Sequence, residues 1–485
     1  MTGRAPPPSR ERKNPCWSKR LMKKPSKFSP LTRRQFGKAI ASAASLLAAP
    51  LIVPSSVFGA TAPSNRLRIG QIGCGRIAHG HDIPGTLQAG GVDIVAVCDV
   101  DSRRAALAKQ FVERWYRGAS VTAPAIATTQ DYHEIVNRKD IDAVVISTPD
   151  HSHAELAAAA ALAGKDIYLQ KPFTMTLSEG IALNDVIKKT QRIFQVGSQQ
   201  RSSTQFRRAC ELVRSGRIGR VRRVEIGLPI DPTQPDDPAQ PIPATLDYDK
   251  WLGPTPEVYY TEQRVHPQNS IEDRPGWLRN ESYCLGMVTG WGSHHYDILH
   301  WALDCEDSGP TRVEGHAEFP TNKIWNVHGA YHIELLYRDD VRVTVSDKLP
   351  NGLKFIGDEG WIWVTREGQT TSSDPANPNP LPALAASDPK ILAEQGVSVQ
   401  LARSAEHHAN WIESIRTRQH PITPAHIAHR SNSACIVSWV AMKLGRPLTW
   451  DPKTERFVND VEANALLSRP ERAPYGIHRL LERNA

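Results

Sequence analysis

Two adjacent histidines, His294 and His295, followed by Asp297 and His300, crowd the stretch GMVTGWGSHHYDILHWALD at residues 286–304. Imidazole ligates metals, moves protons near neutral pH and, with its nitrogens paired, fills cores. Along a helix His295 points about 100° away from His294, and no Cys or His outside the stretch falls at a ligand spacing, so no metal site is expected. Asp297 lies three residues after His294 and shares its face. Proton transfer and packing both stay open for His294, with Asp297 on its face as a candidate partner and both able to touch substrate. His295, His300, Trp291 and Trp301 are assigned to packing or pocket lining. A second candidate reactive group is Lys171, in DIYLQKP at residues 166–172: an ammonium there can hydrogen-bond a reacting hydroxyl and stabilise the charge developing on its oxygen.

The elements that would position these groups begin at RLRIGQIGCGRIAHGHDIPG. An apolar strand runs into Gly73-x-Gly75-x-x-Ala78, with Arg76 and Ile77 between. The first glycine permits the tight turn, the second lets the backbone approach a pyrophosphate, and Ala78 lets the helix pack close; the helix N-terminus adds donors and dipole. Pro84 and Gly85 make that helix a poor one. The second strand ends at Asp99, where a carboxylate accepts both ribose hydroxyls and repels a 2′-phosphate. NAD is thus favoured as the cofactor, and Arg103 and Arg104 keep NADP open. Alternation of helices and apolar strands continues to IFQVGSQQR, which predicts a doubly wound parallel sheet, a Rossmann domain over 63–198. Ligands bind beyond the carboxyl ends of such strands, so Thr148, Pro149, Gln170, Lys171 and Gln199 face one crevice, with His153 opening the helix after STPD.

Beyond residue 198 the segments RVRRVEIGLP, AYHIELLYR, VRVTVSD and EGWIWVTR alternate or run apolar, while DPTQPDDPAQPIP and SSDPANPNPLPALAASDP are proline-rich. The expectation is an α+β domain over 199–485 with a large, mostly antiparallel open sheet, making the chain α/β overall. YYTEQRVHP supplies Tyr260, Arg264 and His266 as candidate sugar contacts.

The formal charge of +8 comes from the first 62 residues, which hold 12 of the 59 basic residues and one of the 51 acidic ones; the remaining 47 basic and 50 acidic residues give −3. Nucleic acid is therefore not expected as a partner. Those 62 residues read as a leader: Arg33 and Arg34, an apolar run from Ala39 to Val53 too short to span a bilayer, then small residues. TRRQFGK resembles a twin-arginine export signal and Ala60-Thr61-Ala62 its cleavage site, so a periplasmic location with no membrane span in the mature form is expected. The seven cysteines show neither zinc nor disulfide-framework spacing.

With Gly73-x-Gly75-x-x-Ala78, Asp99, STPDHSHA and QKPF in order, the chain resembles the glucose-fructose oxidoreductase and inositol dehydrogenase (Gfo/Idh/MocA) family over nearly everything after the leader. WLGPTP, GLKFIGDEGWIWV and LTWDPKTERFVND resemble its exported branch. The resemblance implies a lysine beside the nicotinamide at Lys171, often followed by a cis proline, a histidine base at His294, and sheets paired into homo-oligomers. It also marks two departures: Gln170 where the family has glutamate, and Gly290 where it has the aspartate one turn before the base. The function implied is NAD(P)-dependent oxidation of a secondary hydroxyl of a sugar, cyclitol or glycoside. A redox-neutral, NAD-dependent glycoside-cleaving enzyme needs the same crevice, and a non-catalytic sugar or nucleotide binder is a third class, disfavoured by the retained Lys171 and His294. Export implies a cofactor bound before translocation and retained afterwards, covered by the C-terminal tail or the GRIAHGHD segment.

Overall fold

The computed structural model describes residues 65–119, 123–366 and 382–484. The expected leader, with its export and cleavage signals, lies outside the described residues, as does the first part of the second proline-rich stretch. Six strands form the first sheet: β1 (Leu67–Ile72), β2 (Val92–Cys98), β3 (Ala127–Thr129), β4 (Ala143–Ile146), β5 (Asp166–Leu169) and β6 (Phe194–Val196). All their pairings are parallel, in the order β3-β2-β1-β4-β5-β6. This is the doubly wound Rossmann order, and the reversal between β1 and β4 opens the crevice. Every residue of β4 and β5 is buried, as a sheet covered on both faces requires.

The first crossover helix is irregular, and its sequence explains why. Ala78–Asp82 form a π-helical turn before the α-helix Ile83–Ala89. Pro84 donates no hydrogen bond, and its ring would press on the carbonyl four residues earlier; the wider turn relieves that clash. The same turn carries Asp82 into full burial.

The helix His407–Thr417 packs beside this crossover, where Trp411, Ile412 and Ile415 join the core formed by Ile69, Val97 and Val145. Gly85 leaves room for the His408 ring, which a side chain at 85 would strike. The packed unit around β1–β6 thus borrows this helix from the far end of the sequence.

The second sheet has nine strands in the order Leu384–Ala386, Gly360–Val364, Gly352–Gly357, Val221–Gly227, Arg342–Ser346, Tyr331–Leu336, Arg312–Ala317, Leu448–Asp451 and Arg456–Phe457. Its pairs are antiparallel except Val221–Gly227 with Arg342–Ser346. The helices Gly292–Ala302 and Ala425–Leu444 share one apolar core with it, through Ile298, Leu299, Val437 and Val440 against Val224 and Val343. Among the described residues no helix is long and apolar enough to cross a membrane.

Candidate active site

A cavity of about 620 Å³ runs along the carboxyl ends of β1, β2, β4 and β5 and reaches the helices around Gly290. At one end, Gly73 takes φ +82°, and a Cβ there would lie 2.6 Å from the Ser147 carbonyl oxygen, so only glycine fits. An added Cβ at Gly75 meets only an Arg104 nitrogen, 3.6 Å away, which leaves its backbone open to a phosphate. Ala78 is fully buried beneath the turn, while Arg76 and Ile77 line the cavity. The Arg76 Nε is buried without a partner. This turn fits the pyrophosphate of a dinucleotide.

Asp99 lines the same end. Its carboxylate accepts from the backbone N–H of Cys74 at 2.7 Å and of Asp101 at 2.9 Å, and each oxygen keeps a lone pair for a ribose hydroxyl. Burial raises its pKa, opposed by Arg104 and the two N–H donors. Arg104 is anchored by donation to the carbonyls of Pro267 (3.1 Å) and Ser270 (3.4 Å). His266, expected to contact sugar, instead lies at this cofactor end, 3.1 Å from the Asp101 carboxylate. Trp251, Pro254, Pro474 and Tyr475 also line the cavity, and the tail is tied to the 249–255 segment by Arg472 and Tyr475, which both donate to Asp249.

Lys171 follows β5, and its bond to Pro172 is cis. The Gln170 amide donates to Asp82 at 2.8 Å and its oxygen accepts from the Lys171 N–H at 3.3 Å. Asp82 also accepts from Ser147 Oγ at 2.6 Å and faces His408 at 3.3 Å. A carboxylate absent at position 170 is thus present beside it, one layer deeper. Burial opposes ionisation of Asp82, but His408 and His81 outweigh it and hold the carboxyl well below the usual range. Burial likewise disfavours charged His408, yet Asp82 and Glu406 raise it to about 9. His81, Asp82 and His408 bring potential ligand atoms within 4.8 Å of one another; with His408 protonated, the set works as an ion-pair network.

Thr148, Pro149 and Gln199 line the cavity as expected. His153 does not. Its ring nitrogens lie 2.7 Å from the Pro172 carbonyl and 3.1 Å from that of Thr148, so it buttresses the two turns from behind.

The helical stretch of the two histidines is broken after Met287–Gly290. The His294 N–H donates to the Trp291 carbonyl at 3.0 Å, and the Gly290 carbonyl receives the Lys171 ammonium at 2.8 Å. His294 is buried on the cavity wall, and its Nδ1 has no partner. Burial first, then the charges of Arg366 and Lys171, push its pKa well down, so the imidazole is neutral and able to accept a proton. Asp297 is no partner for it: its carboxylate is buried in a bidentate pair with Arg201, at 2.7 and 2.8 Å, and does not line the cavity. Nor do Arg264, which stacks on Tyr259 at 5.2 Å, or Tyr260, which packs with Tyr248 and Trp251. An irregular loop has no periodicity from which facing could be read. His295 and His300 pair with Asn351 (2.9 Å) and the Tyr337 hydroxyl (3.0 Å).

Sequence reasoning passed over Asp150, Arg274 and Arg366, all on the cavity wall. Asp150 follows Thr148-Pro149 and is 4% exposed. Burial pushes its carboxyl up and the Lys171 ammonium down, while each charge opposes the other's shift. The aspartate in STPDHSHA was the signal for this buried carboxyl near the lysine.

Residues 67–198 match the model of an oxidoreductase family's NAD-binding Rossmann fold, and residues 233–366 with 390–477 match the C-terminal alpha/beta domain of the same family. A glycosyl hydrolase family 109 protein of Shewanella pealeana is 32% identical over 176 residues, 33% of this chain and 38% of that one. The scyllo-inositol 2-dehydrogenase (NAD(+)) of Bacillus subtilis is 28% identical over 315 residues, 62% and 74% of the two chains. The match spans 38–44% of the length of the first curated relatives. In fold, the aldose-aldose oxidoreductase of Caulobacter crescentus aligns with TM-score 0.55 at 16% identity, over 79% of this chain and 99% of that one. The WlbA dehydrogenase of Bordetella pertussis, in complex with NADH and UDP-GlcNAcA, aligns with TM-score 0.54 at 15% identity, over 79% and 98%.

Proposed function

Because this chain belongs to the Gfo/Idh/MocA family of NAD-binding oxidoreductases, we propose that it oxidises a secondary hydroxyl of a sugar, cyclitol or glycoside. The observation that carries the reading is the meeting of Lys171 and the partnerless His294 Nδ1 on a cavity that also holds the dinucleotide turn. NAD, held by Gly73, Gly75, Arg76 and Asp99, supplies the hydride acceptor when bound. Neutral His294 takes the hydroxyl proton, and Lys171, poised on the Gly290 carbonyl, donates to the same oxygen as its charge grows. Asp150 keeps that ammonium charged in a buried site. The test is formation of reduced nicotinamide with a panel of sugars, cyclitols and glycosides, together with product analysis; binding of these compounds with neither oxidation nor cleavage would reduce the protein to a binder.

The relative named as a glycosyl hydrolase favours a second reading on the same residues. There the transiently oxidised sugar loses the acidified proton next to its new carbonyl, the glycosidic bond breaks, water adds, and the carbonyl is reduced back. Released aglycone without net reduced nicotinamide separates this outcome from simple dehydrogenation.

The Arg33-Arg34 signal supports export to the periplasm in folded form, testable by fractionating cells that express Arg33→Lys/Arg34→Lys. Export implies retention of the cofactor, which the Arg472 and Tyr475 ties over the cavity support. Stoichiometric nucleotide released on denaturing the dialysed protein is the expected result. Pairing into a homo-oligomer through the nine-stranded sheet is the family's habit, and sedimentation checks it here.

A further inference from the structure

Asp82 is fully buried in the π-helical turn and does not line the cavity, yet two residues that do line it converge on its carboxylate. One carboxylate oxygen accepts from Ser147 Oγ at 2.6 Å; the other accepts from the Gln170 amide at 2.8 Å and lies 3.3 Å from His408 Nε2. Ser147 follows β4 and Gln170 follows β5, so one buried charge ties the ends of both strands. His408 is held in turn. Its ring stacks on Tyr168 of β5 at 4.5 Å, and its Nδ1 lies 3.3 Å from Glu406, whose other oxygen caps the helix through the Ala409 N–H at 2.6 Å. A line of polar contacts thus runs through Glu406, His408, Asp82 and Gln170 and ends on the Lys171 N–H. An ion pair that served only to pin the helix would stop at Asp82.

Gln170 is the member of that line whose orientation matters, because an amide has a donor edge and an acceptor edge. As it stands, its N–H meets the carboxylate and its oxygen meets the Lys171 N–H. Turned over, oxygen would face the Asp82 carboxylate and N–H would face N–H. Gly197 leaves room for the flat amide, since a Cβ there would lie 3.1 Å from the Gln170 oxygen. We propose that Asp82 is a positioning residue for the reactive end: through the Gln170 amide it sets the turn that carries Lys171 and steadies the nicotinamide half of the cofactor. The inference rests on the oxidoreductase reading and adds to it a residue that acts through another. It also makes positions 82 and 170 interdependent. A glutamate at 170 would bring two carboxylates to the separation that the amide now spans, where they would have to share a proton. The glutamine and the buried aspartate therefore need each other, and His408, held charged up to about pH 9 by Asp82 and Glu406, supplies the neutralising cation that an amide cannot.

The test is a charge exchange in the NAD-loaded full chain: Asp82→Asn, Gln170→Glu and the two together, each assayed with a sugar that the wild type turns over. Each single variant should lose roughly ten- to a hundredfold in kcat, the scale of a small misplacement beside the chemistry, with the KM for the sugar within about threefold. The double variant again sets an amide donor against a carboxylate; its kcat should exceed that of both parents and come within about tenfold of wild type. A double variant no faster than its faster parent reduces Asp82 to an ion pair that pins the helix and overturns the proposal. Should Asp82→Asn not fold alone, Gln170→Met decides, because it keeps the carboxylate and removes the amide: a loss of kcat like that of Gln170→Glu upholds the proposal, and wild-type kcat sinks it. If no sugar is oxidised or cleaved, the oxidoreductase reading falls, and nucleotide exchange still decides the positioning role. ADP-ribose, which lacks the nicotinamide, should displace bound NAD from each single variant at a concentration at least about threefold lower than from wild type or the double variant. One displacement curve shared by all four proteins would contradict it.

Discussion

The two ends of the cavity are assembled in different ways. The dinucleotide end is built chiefly on one continuous piece of chain, from β1 through Gly73 and Gly75 to Asp99, with Ser147 and His266 added from elsewhere. The reactive end takes Lys171 from β5, Asp150 from the turn after β4, His294 and Gly290 from a broken helix, and Arg274 and Arg366 from irregular segments. A cofactor shared by many enzymes needs a fixed cradle, whereas substrate choice can be revised one side chain at a time. Substitutions should separate the ends: changes at one alter turnover with nucleotide still bound, and changes at the other alter the nucleotide itself.

The largest effect is expected at His294, the proposed base. His294→Ala should cut turnover by about 10²–10⁴ with NAD binding unchanged, the range for a lost general base. Lys171→Ala should cost roughly 10²–10³ in turnover, as for a lost donor to a developing oxyanion, again with nucleotide retained. Loss of the nucleotide in either variant would mean that the ends are not separable. At the other end, Asp99→Ala should weaken NAD about tenfold, the scale of a charge-assisted hydrogen bond, and narrow the preference over NADP; a purified protein that already favours NADP would contradict the ribose assignment.

Two smaller effects sharpen the contrast. A Cβ at Gly290 meets only the Met287 sulfur, at 3.8 Å, so Gly290→Asp should fold normally, place a carboxylate beside Lys171 and His294, and raise the lower pH limb of turnover by raising the histidine's pKa. An unshifted profile would show that the side chains do not meet. The last effect concerns stability. The folded pKa of His408, about 9, lies above its unfolded value near 6.5, so its contribution is complete below about pH 6.5 and is lost as pH rises toward 9. Thermal midpoints should fall across that window, and His408→Gln should flatten the fall.

Legibility divides along the same line. Gly73, Gly75, Ala78 and the strands β1, β2, β4, β5 and β6 were readable because tight turns and buried parallel strands leave local signatures, whereas β3, three residues long and largely exposed, leaves none. Asp297 misled: helical spacing placed it on the face of His294 but was silent about Arg201, which reaches it from the segment after β6 and claims the carboxylate. His266 was seen as a polar group in a loop, and only tertiary packing sends it to Asp101. The glutamate missing at 170 looked like a lost charge, yet Asp82 restores it from a π-turn that Pro84 hinted at. Arg274 and Arg366 had no motif around them, so nothing short of the fold could join them to Lys171.

The most direct measurement is a single turnover of the NAD-loaded protein with an excess of a sugar, cyclitol or glycoside that it binds, following reduced nicotinamide on the enzyme and product in the quench. The expected result is reduced nicotinamide forming in wild type, lasting or transient according to whether the product is a ketosugar or a cleaved glycoside, and absent in Lys171→Ala and His294→Ala. Sugar shown by calorimetry to bind the NAD-loaded protein, with no reduced nicotinamide and no product at any time, would contradict the oxidoreductase assignment.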